Sequence, residues 1–298
     1  MDVEMKIQEP INKVTRKQKL KNYSKHPGSF LLALLTKLAI LLTVLALGFI
    51  LIYILVKGIP NLSTDLFALK YTTENVSMLP AIINTLIITL LSLCIAGPIG
   101  IFSAIYLVEY AKKGNKLVEV VRVTAETLTG IPSIVYGLFG MLFFVTTLKC
   151  GYSILAGALT LSIMVLPVIM RTTEEALLAV PNSFREGSFG LGAGKLRTIF
   201  KIVLPSAVPG ILAGVILAIG RIVGETAALI YTAGTVAGIP ANIMGSARTL
   251  SVHMYVLTNE GLYTNQSYAT AVVLLGIVVL INALSGFIAK KITGKGIG

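Results

Sequence analysis

The chain has 298 residues, of which 55% are hydrophobic and only 13% are charged, and its mean hydropathy is +0.86. Soluble globular domains carry about 25% charged residues, so this composition excludes a chain whose surface faces water throughout. The net charge of +12 raises the question of nucleic-acid binding. However, the basic residues follow the connections between apolar segments, which indicates a topology signal rather than a nucleic-acid surface.

Six apolar runs along the chain are long enough to cross a bilayer as helices, which takes about 20 residues each. They cover residues 30–56, 79–108, 123–148, 152–170, 207–232 and 269–289. The runs are continuous, whereas the strands of a membrane barrel alternate in hydrophobicity over about 10 residues, so helices are favoured. The sequence therefore predicts an all-α integral membrane protein with six transmembrane helices.

The lysine and arginine residues outside these spans are distributed unevenly. Nineteen lie in residues 1–29, the 109–122 loop, the 171–206 loop and residues 290–298, whereas four lie in the alternate loops. Lysine and arginine are enriched in cytoplasmic loops. We therefore predict a multi-pass protein of the cell (plasma) membrane with a cytoplasmic N-terminal segment at 1–29, a six-helix membrane domain at 30–289 and a cytoplasmic tail at 290–298.

Proline residues fall inside two of the predicted spans. Gly97-Pro98 lies in the second span and Ile131-Pro132 in the third. Proline lacks the amide hydrogen and collides with the preceding turn, so both sites should interrupt helical hydrogen bonding. Arg171 is expected to end the fourth span, where a cation complements the helix C-terminus.

Patterns typical of catalysis or metal binding do not hold in this sequence. The run from Gly190 to Lys195 resembles a phosphate-binding loop, but that loop requires a glycine and a hydroxyl residue where this chain has Phe189 and Leu196. The two histidines, at positions 26 and 253, are isolated. We therefore expect no catalytic residue, no metal site and no cofactor bound by this chain.

The 171–205 loop is the longest predicted cytoplasmic connection between spans. Apolar residues recur in it at helical intervals among glycines and basic residues. A cytoplasmic helix with an apolar stripe must bury that stripe. It can do so against the ends of its own spans or in the groove of a partner, and the pattern alone leaves both readings open.

The second half of this loop carries a spaced motif. Glu186-Gly187-Ser188 is followed after three residues by Gly192 and, after nine more, by Ile202-x-Leu204-Pro205. The motif resembles the EAA loop of ABC importer permeases, with Gly187 and Ser188 in place of the usual alanines. The resemblance implies the ABC importer type I permease fold, in which this loop forms the coupling helix that docks on the ATPase. The residues it implies for ATPase coupling are Glu186, Gly187, Ser188, Gly192, Ile202, Leu204 and Pro205.

Two of these residues also have a predictable structural part. Glycine adopts left-handed backbone angles readily, so Gly192 should let the chain turn sharply. Pro205 should stand at the start of the next span.

Two further segments, residues 130–140 and 220–227, resemble the A-type permeases of phosphate-specific importers. This resemblance implies a membrane permease subunit of an ATP-driven importer for inorganic phosphate. Its partners would be a homologous C-type permease subunit, two ATPase subunits that bind ATP and Mg, and an extracytoplasmic phosphate-binding protein. A permease for another oxyanion or polar solute, an ion-driven secondary transporter and a scaffold without transport remain alternatives.

Arg221 and Glu225 are the charged pair inside the predicted fifth span. Spaced four apart, they would share one helix face. Arg221 lies 14 residues after Ala207, about 21 Å into the membrane at helical rise. An ionised group there costs about 2.5–3.5 kcal/mol and requires a partner. Two readings stay open: a structural ion pair, or a substrate pathway in which the planar fork of arginine binds an oxyanion.

Overall fold

The computed structural model describes residues 27–112 and 114–294, with side chains up to residue 287. Residues 1–26, residue 113 and residues 295–298 lie outside the described residues. Most of the predicted N-terminal segment and the end of the predicted tail are therefore not described. All regular elements in the described ranges are helical, as predicted.

The chain divides into two compact units, with the boundary between residues 54 and 55. The first unit contains most of helix α1 (Pro27–Gly58). Its apolar side chains are exposed on all sides, which is the pattern of a helix surrounded by lipid or by other membrane helices.

The second unit contains the remaining helices. In chain order they are α2 (Leu79–Ile105), α3 (Lys116–Thr129), α4 (Ser133–Gly140), α5 (Ile154–Leu178), α6 (Asn182–Gly190), α7 (Lys195–Thr198), α8 (Leu204–Val223), α9 (Ala227–Ile230), α10 (Leu250–Glu260) and α11 (Thr264–Gly294). Wider π-helical turns at Tyr106–Tyr110, Met141–Thr147 and Ile199–Val203 extend α2, α4 and α7. Short 3₁₀ turns at Ile59–Asn61 and Thr64–Phe67 follow α1.

Five helices in the described ranges are long and apolar enough to cross a membrane. They cover Gly28–Asn61, Leu79–Tyr110, Ile154–Leu178, Lys195–Val223 and Thr264–Phe287. A sixth span is counted when α3 and α4 are taken together, although they are bent by 103°. Five of the six predicted spans are thus present as single segments, and the third corresponds to this bent pair.

The break in the third span lies between Thr129 and Ser133, inside the predicted 123–148. Its physical cause is local, because Pro132 has no amide hydrogen and disfavours helical angles at the residue before it. The expected interruption at Ile131-Pro132 is confirmed. At Pro98 the missing amide hydrogen removes a hydrogen bond without ending the helix, since α2 continues through Pro98. Helix α2 packs closely on α5 just after this proline, where Gly100 lies against Ile169.

The fourth and fifth spans also differ from the prediction. Helix α5 continues to Leu178, so Arg171 lies inside it instead of ending it. Helix α8 ends at Val223, and Gly224 leads into a non-helical turn before α9. The fifth span therefore ends before the predicted end at residue 232, because apolar composition continues beyond the point where the helix stops.

The core of the second unit lies between α2, α5 and α8. Large side chains such as Ile88, Leu161 and Ile222 are fully buried in one cluster there, and Gly214 leaves room only for Thr172 of α5. Helices α2 and α5 run between two ends of this bundle. We call these the α6 end, which carries α6, and the α10 end, which carries α10.

Candidate coupling surface and pathway residues

Helix α6 is held in a sharp turn by the residues that follow it. Gly192 has φ +82°, a left-handed angle that glycine adopts without strain. The amide of Gly192 donates to the carbonyl of Phe189 at 2.9 Å, and that of Ala193 donates to Ser188 at 3.1 Å. This pattern caps the end of the helix. The predicted turn at Gly192 is confirmed.

Three residues of the predicted coupling set divide between the inside and the outside of α6. Ser188 is buried, and its hydroxyl lies 2.8 Å from that of Thr198, which connects α6 to α7. Glu186 and Gly187 are exposed. The small residue at position 188 therefore allows close packing, whereas Glu186 and Gly187 are available to a partner.

Large apolar side chains surround these exposed positions. Leu191 is 90% exposed and Leu196 is 64% exposed, and Phe184 and Phe189 are about half exposed. Exposed apolar patches of this kind mark surfaces that bind other proteins or lipid. The sequence pattern leaves two readings of the loop open: burial of its apolar residues against its own spans, or in the groove of a partner. The first accounts for Ile199 and Val203, which are fully buried. It does not account for the exposed apolar patch.

The last three residues of the coupling set lie where the next helix begins. Ile202 belongs to the wide turn before α8. Leu204 is the first residue of α8, and Pro205 follows in the first turn of that helix. Proline suits that turn because the amide it lacks would have no partner there. The predicted place of Pro205 is confirmed.

An ion pair between α6 and the end of α2 was not predicted from the sequence. Arg185 donates from Nε and Nη2 to Oε1 of Glu109, at 3.0 and 2.7 Å. The same guanidinium donates to the carbonyls of Val180 and Leu177, at 2.8 and 3.0 Å. Both side chains are largely buried. The two partners are 76 residues apart in sequence, so no local spacing indicated them.

Further ion pairs at the α6 end join α3 to α5 or lie within α5. Arg122 lies 2.6 Å from Glu174. Arg171 lies 3.3 Å from Glu126 and 3.6 Å from Glu175, and these three side chains are about half exposed or more. Arg171 thus pairs with carboxylates instead of only complementing a helix end.

Arg221 and Glu225 do not share a helix face, contrary to the prediction. The helix stops between them at Val223, and the carboxylate of Glu225 accepts a hydrogen bond from the amide of Ala228 at 3.1 Å, which caps α9. No ion pair joins Arg221 to Glu225 among the described residues. Arg221 is half-buried and lies close enough to Tyr136 to interact with it electrostatically. A substrate role for either residue stays a prediction.

The α10 end contains a second arginine that the sequence analysis did not single out. Arg248 is only 4% exposed, and its guanidinium stacks on the ring of Tyr71 at 4.6 Å. Its Nε and Nη2 meet no acceptor among the described side chains and backbone. His253 is fully buried nearby, with its ring edge-on to Tyr71. Burial, and then the charge of Arg248, lower the pKa of His253 to about 3.

Comparisons with known proteins agree with the fold. A family model described as "Binding-protein-dependent transport system inner membrane component" matches residues 96–294. A chain of the crystal structure of a bacterial alginate ABC transporter, in complex with its alginate pentasaccharide-bound periplasmic protein, aligns with a TM-score of 0.66 at 16% identity, over 91% of this chain and 98% of that chain. This likeness in fold confirms the predicted type I importer permease architecture.

Two relatives are similar in sequence. The "Probable ABC transporter permease protein YqgI" of Bacillus subtilis (strain 168) is 33% identical over 265 residues, which are 82% of this chain and 90% of the relative. The "Phosphate transport system permease protein PstA" of Pasteurella multocida (strain Pm70) is 42% identical over 205 residues, which are 68% of this chain and 72% of the relative.

Proposed function

This chain belongs to the family of binding-protein-dependent transport system inner membrane components, and we propose that it is the permease subunit of an ATP-driven importer for inorganic phosphate. The observation that carries the proposal is the 42% identity to a phosphate transport permease over two thirds of the chain. The α6 surface supports the same conclusion, since an exposed apolar patch beside Glu186 suits docking of a separate ATPase.

In this proposal the α6 end faces the cytoplasm and the α10 end faces outward. The chain pairs with a homologous C-type permease subunit to enclose the pathway. Two ATPase subunits bind ATP and Mg on the cytoplasmic side, and an extracytoplasmic phosphate-binding protein delivers the anion. This chain contributes passage, gating and coupling, whereas hydrolysis takes place on its partners.

The experiment that tests the function is phosphate uptake in cells that lack their own high-affinity importer. Cells that express this chain with its partner subunits should accumulate radiolabelled phosphate, and unlabelled phosphate should compete while sulfate should not. The matched control omits only this chain. Equal competition by other oxyanions would favour a broader permease, and uptake that survives inactivation of the ATPase would favour an ion-driven transporter.

Orientation is tested by cysteine labelling in intact cells. A cysteine at Asn259, in the α10 end, should react with an impermeant reagent, whereas one at Lys295 should react only after permeabilisation. Reaction of both from the same side would contradict the assignment of α6 to the cytoplasm.

The coupling surface is tested by Glu186→Lys, which reverses one exposed charge and leaves the bundle contacts in place. A reversed charge at a docking surface weakens association by several kcal/mol when the contact is buried in the complex. We expect loss of ATPase co-purification and of uptake, at unchanged membrane insertion. Wild-type co-purification together with wild-type uptake would refute the docking assignment.

A further inference from the structure

We propose that Arg185 is a positioning residue that makes α2, α5 and α6 move as one unit, so that a displacement of α6 reaches the membrane bundle. The inference rests on the proposed function, because it assumes that an ATPase partner displaces α6. It concerns a contact on the inner side of α6, away from the patch that docks the partner.

The contacts of one guanidinium join the three helices. Arg185 belongs to α6, its carboxylate partner Glu109 lies at the end of α2, and Leu177 and Val180 lie at and just beyond the end of α5. Four hydrogen bonds between 2.7 and 3.0 Å make these connections. No other side chain in the described ranges hydrogen-bonds α6 to α2.

The planar fork of arginine is needed for this arrangement. Three nitrogen atoms donate in three directions, to one carboxylate oxygen and two carbonyls. Lysine offers a single ammonium at the end of a flexible chain and cannot fix that geometry. Because both partners are largely buried, the charge-assisted bonds are not screened as exposed pairs are.

Helices α2 and α5 are already fixed to each other within the bundle. The hydroxyl of Ser92 donates to the carbonyl of Ala158, and the hydroxyl of Ser162 donates to the carbonyl of Ser92, both at 3.2 Å. Gly100 lies against Ile169 with no room for a larger side chain. A displacement of α6 that acts through Arg185 should therefore move α2 and α5 together.

The other side of α6 has a weaker connection. There, the neutral hydroxyl pair of Ser188 and Thr198 links α6 to α7, ahead of the wide turn Ile199–Val203 that leads into α8. Wide turns of this type often occur at functional sites in helices. Among the described residues, four hydrogen bonds from a guanidinium hold α6 to α2 and α5, whereas one neutral side-chain hydrogen bond links it toward α8. We therefore expect α6 to follow α2 and α5 more closely than it follows α8.

The test compares the number of ATP molecules hydrolysed per phosphate transported in the complete reconstituted complex. Arg185→Lys and Glu109→Gln should keep the complex assembled and hydrolysing ATP, while phosphate transport falls by about tenfold, within the range of measured coupling between sites. Arg185→Gln combined with Glu109→Gln should be no more uncoupled than the worse single variant, because the two residues form one connection.

Arg171→Gln is the matched control, since it removes an arginine of the α6 end whose ion pairs are exposed and worth about 0–1 kcal/mol. Its ratio should stay within about twofold of wild type. A wild-type ratio in Arg185→Lys would overturn the proposal, and so would a parallel loss of hydrolysis and transport with the ATPase dissociated, which would mean that Arg185 only stabilises the docking surface. Failure of the wild-type complex itself to transport phosphate would instead count against the proposed function.

Discussion

The two ends of the bundle each bury an arginine, and they stabilise it in opposite ways. At the α6 end, Arg185 has a carboxylate and two carbonyls within hydrogen-bonding distance. At the α10 end, Arg248 lies against the face of Tyr71, with Nε and Nη2 unpaired among the described residues. An aromatic face attracts a cation by about 0.5–2 kcal/mol, and a buried ion pair contributes directed, charge-assisted bonds. The comparison indicates a stiff connection at the α6 end, where directed hydrogen bonds fix the guanidinium. It indicates a yielding contact at the α10 end, where the guanidinium stacks on a ring without such bonds.

The largest effect is expected at a third arginine, which lies between the two ends. If Arg221 meets the transported anion, Arg221→Gln should abolish phosphate uptake with assembly intact, and Arg221→Lys should restore it only in part because a point charge replaces a fork. Uptake at matched expression is the measurement. Wild-type uptake in Arg221→Gln would contradict the pathway role of Arg221.

The next effect concerns the stiff connection itself. Glu109→Ala leaves the guanidinium of Arg185 buried without a carboxylate, and losing one partner of a buried pair costs about 3–5 kcal/mol. The purified protein should unfold at a clearly lower temperature. Glu126→Ala, which removes one partner of the exposed Arg171, is the control and should shift the transition little. Equal shifts would mean that burial does not distinguish the two pairs.

A smaller effect depends on pH and belongs to the α10 end. The pKa of His253 is about 3 in the folded protein and about 6.5 in an unfolded chain. The unfolded state therefore binds more protons below pH 6.5, so stability is fully present above that pH and is lost as the pH falls toward 3. Between pH 7.5 and 5.5 the free energy of unfolding should fall by about 1 kcal/mol. In His253→Gln this part of the pH dependence should disappear, and an unchanged profile would contradict the buried neutral state.

The smallest effect tests the yielding contact. Tyr71→Leu keeps an apolar cover over Arg248 but removes the aromatic face, which should lower stability by about 0.5–1 kcal/mol. Tyr71→Phe keeps the face and should match wild type in thermal unfolding. If Tyr71→Leu lowered the unfolding temperature as much as Glu109→Ala does, the two ends would not differ in how strongly they stabilise their arginine.

Local features were predictable from the sequence, and long-range ones were not. The spans follow from apolar run length, the turn at Gly192 from glycine, and the helix start at Pro205 from proline. The break after Val223 was missed because the apolar composition continues past it. The Arg185–Glu109 and Arg122–Glu174 pairs join residues far apart in the chain, and a single sequence does not indicate which charges meet.

The broken third span has a consequence for how the protein enters the membrane. Helix α4 with its extension covers 15 residues, about 22 Å at helical rise, whereas the hydrocarbon core is about 30 Å thick. Helix α3, which carries Arg122 and Glu126, cannot make up that difference without placing charge in lipid. Gly137 and Gly140 of α4 instead lie directly against Ala228 and Thr160. Both partners lie later in the chain than α4, so α4 can take up its final packing only after α5 and α9 have been synthesised.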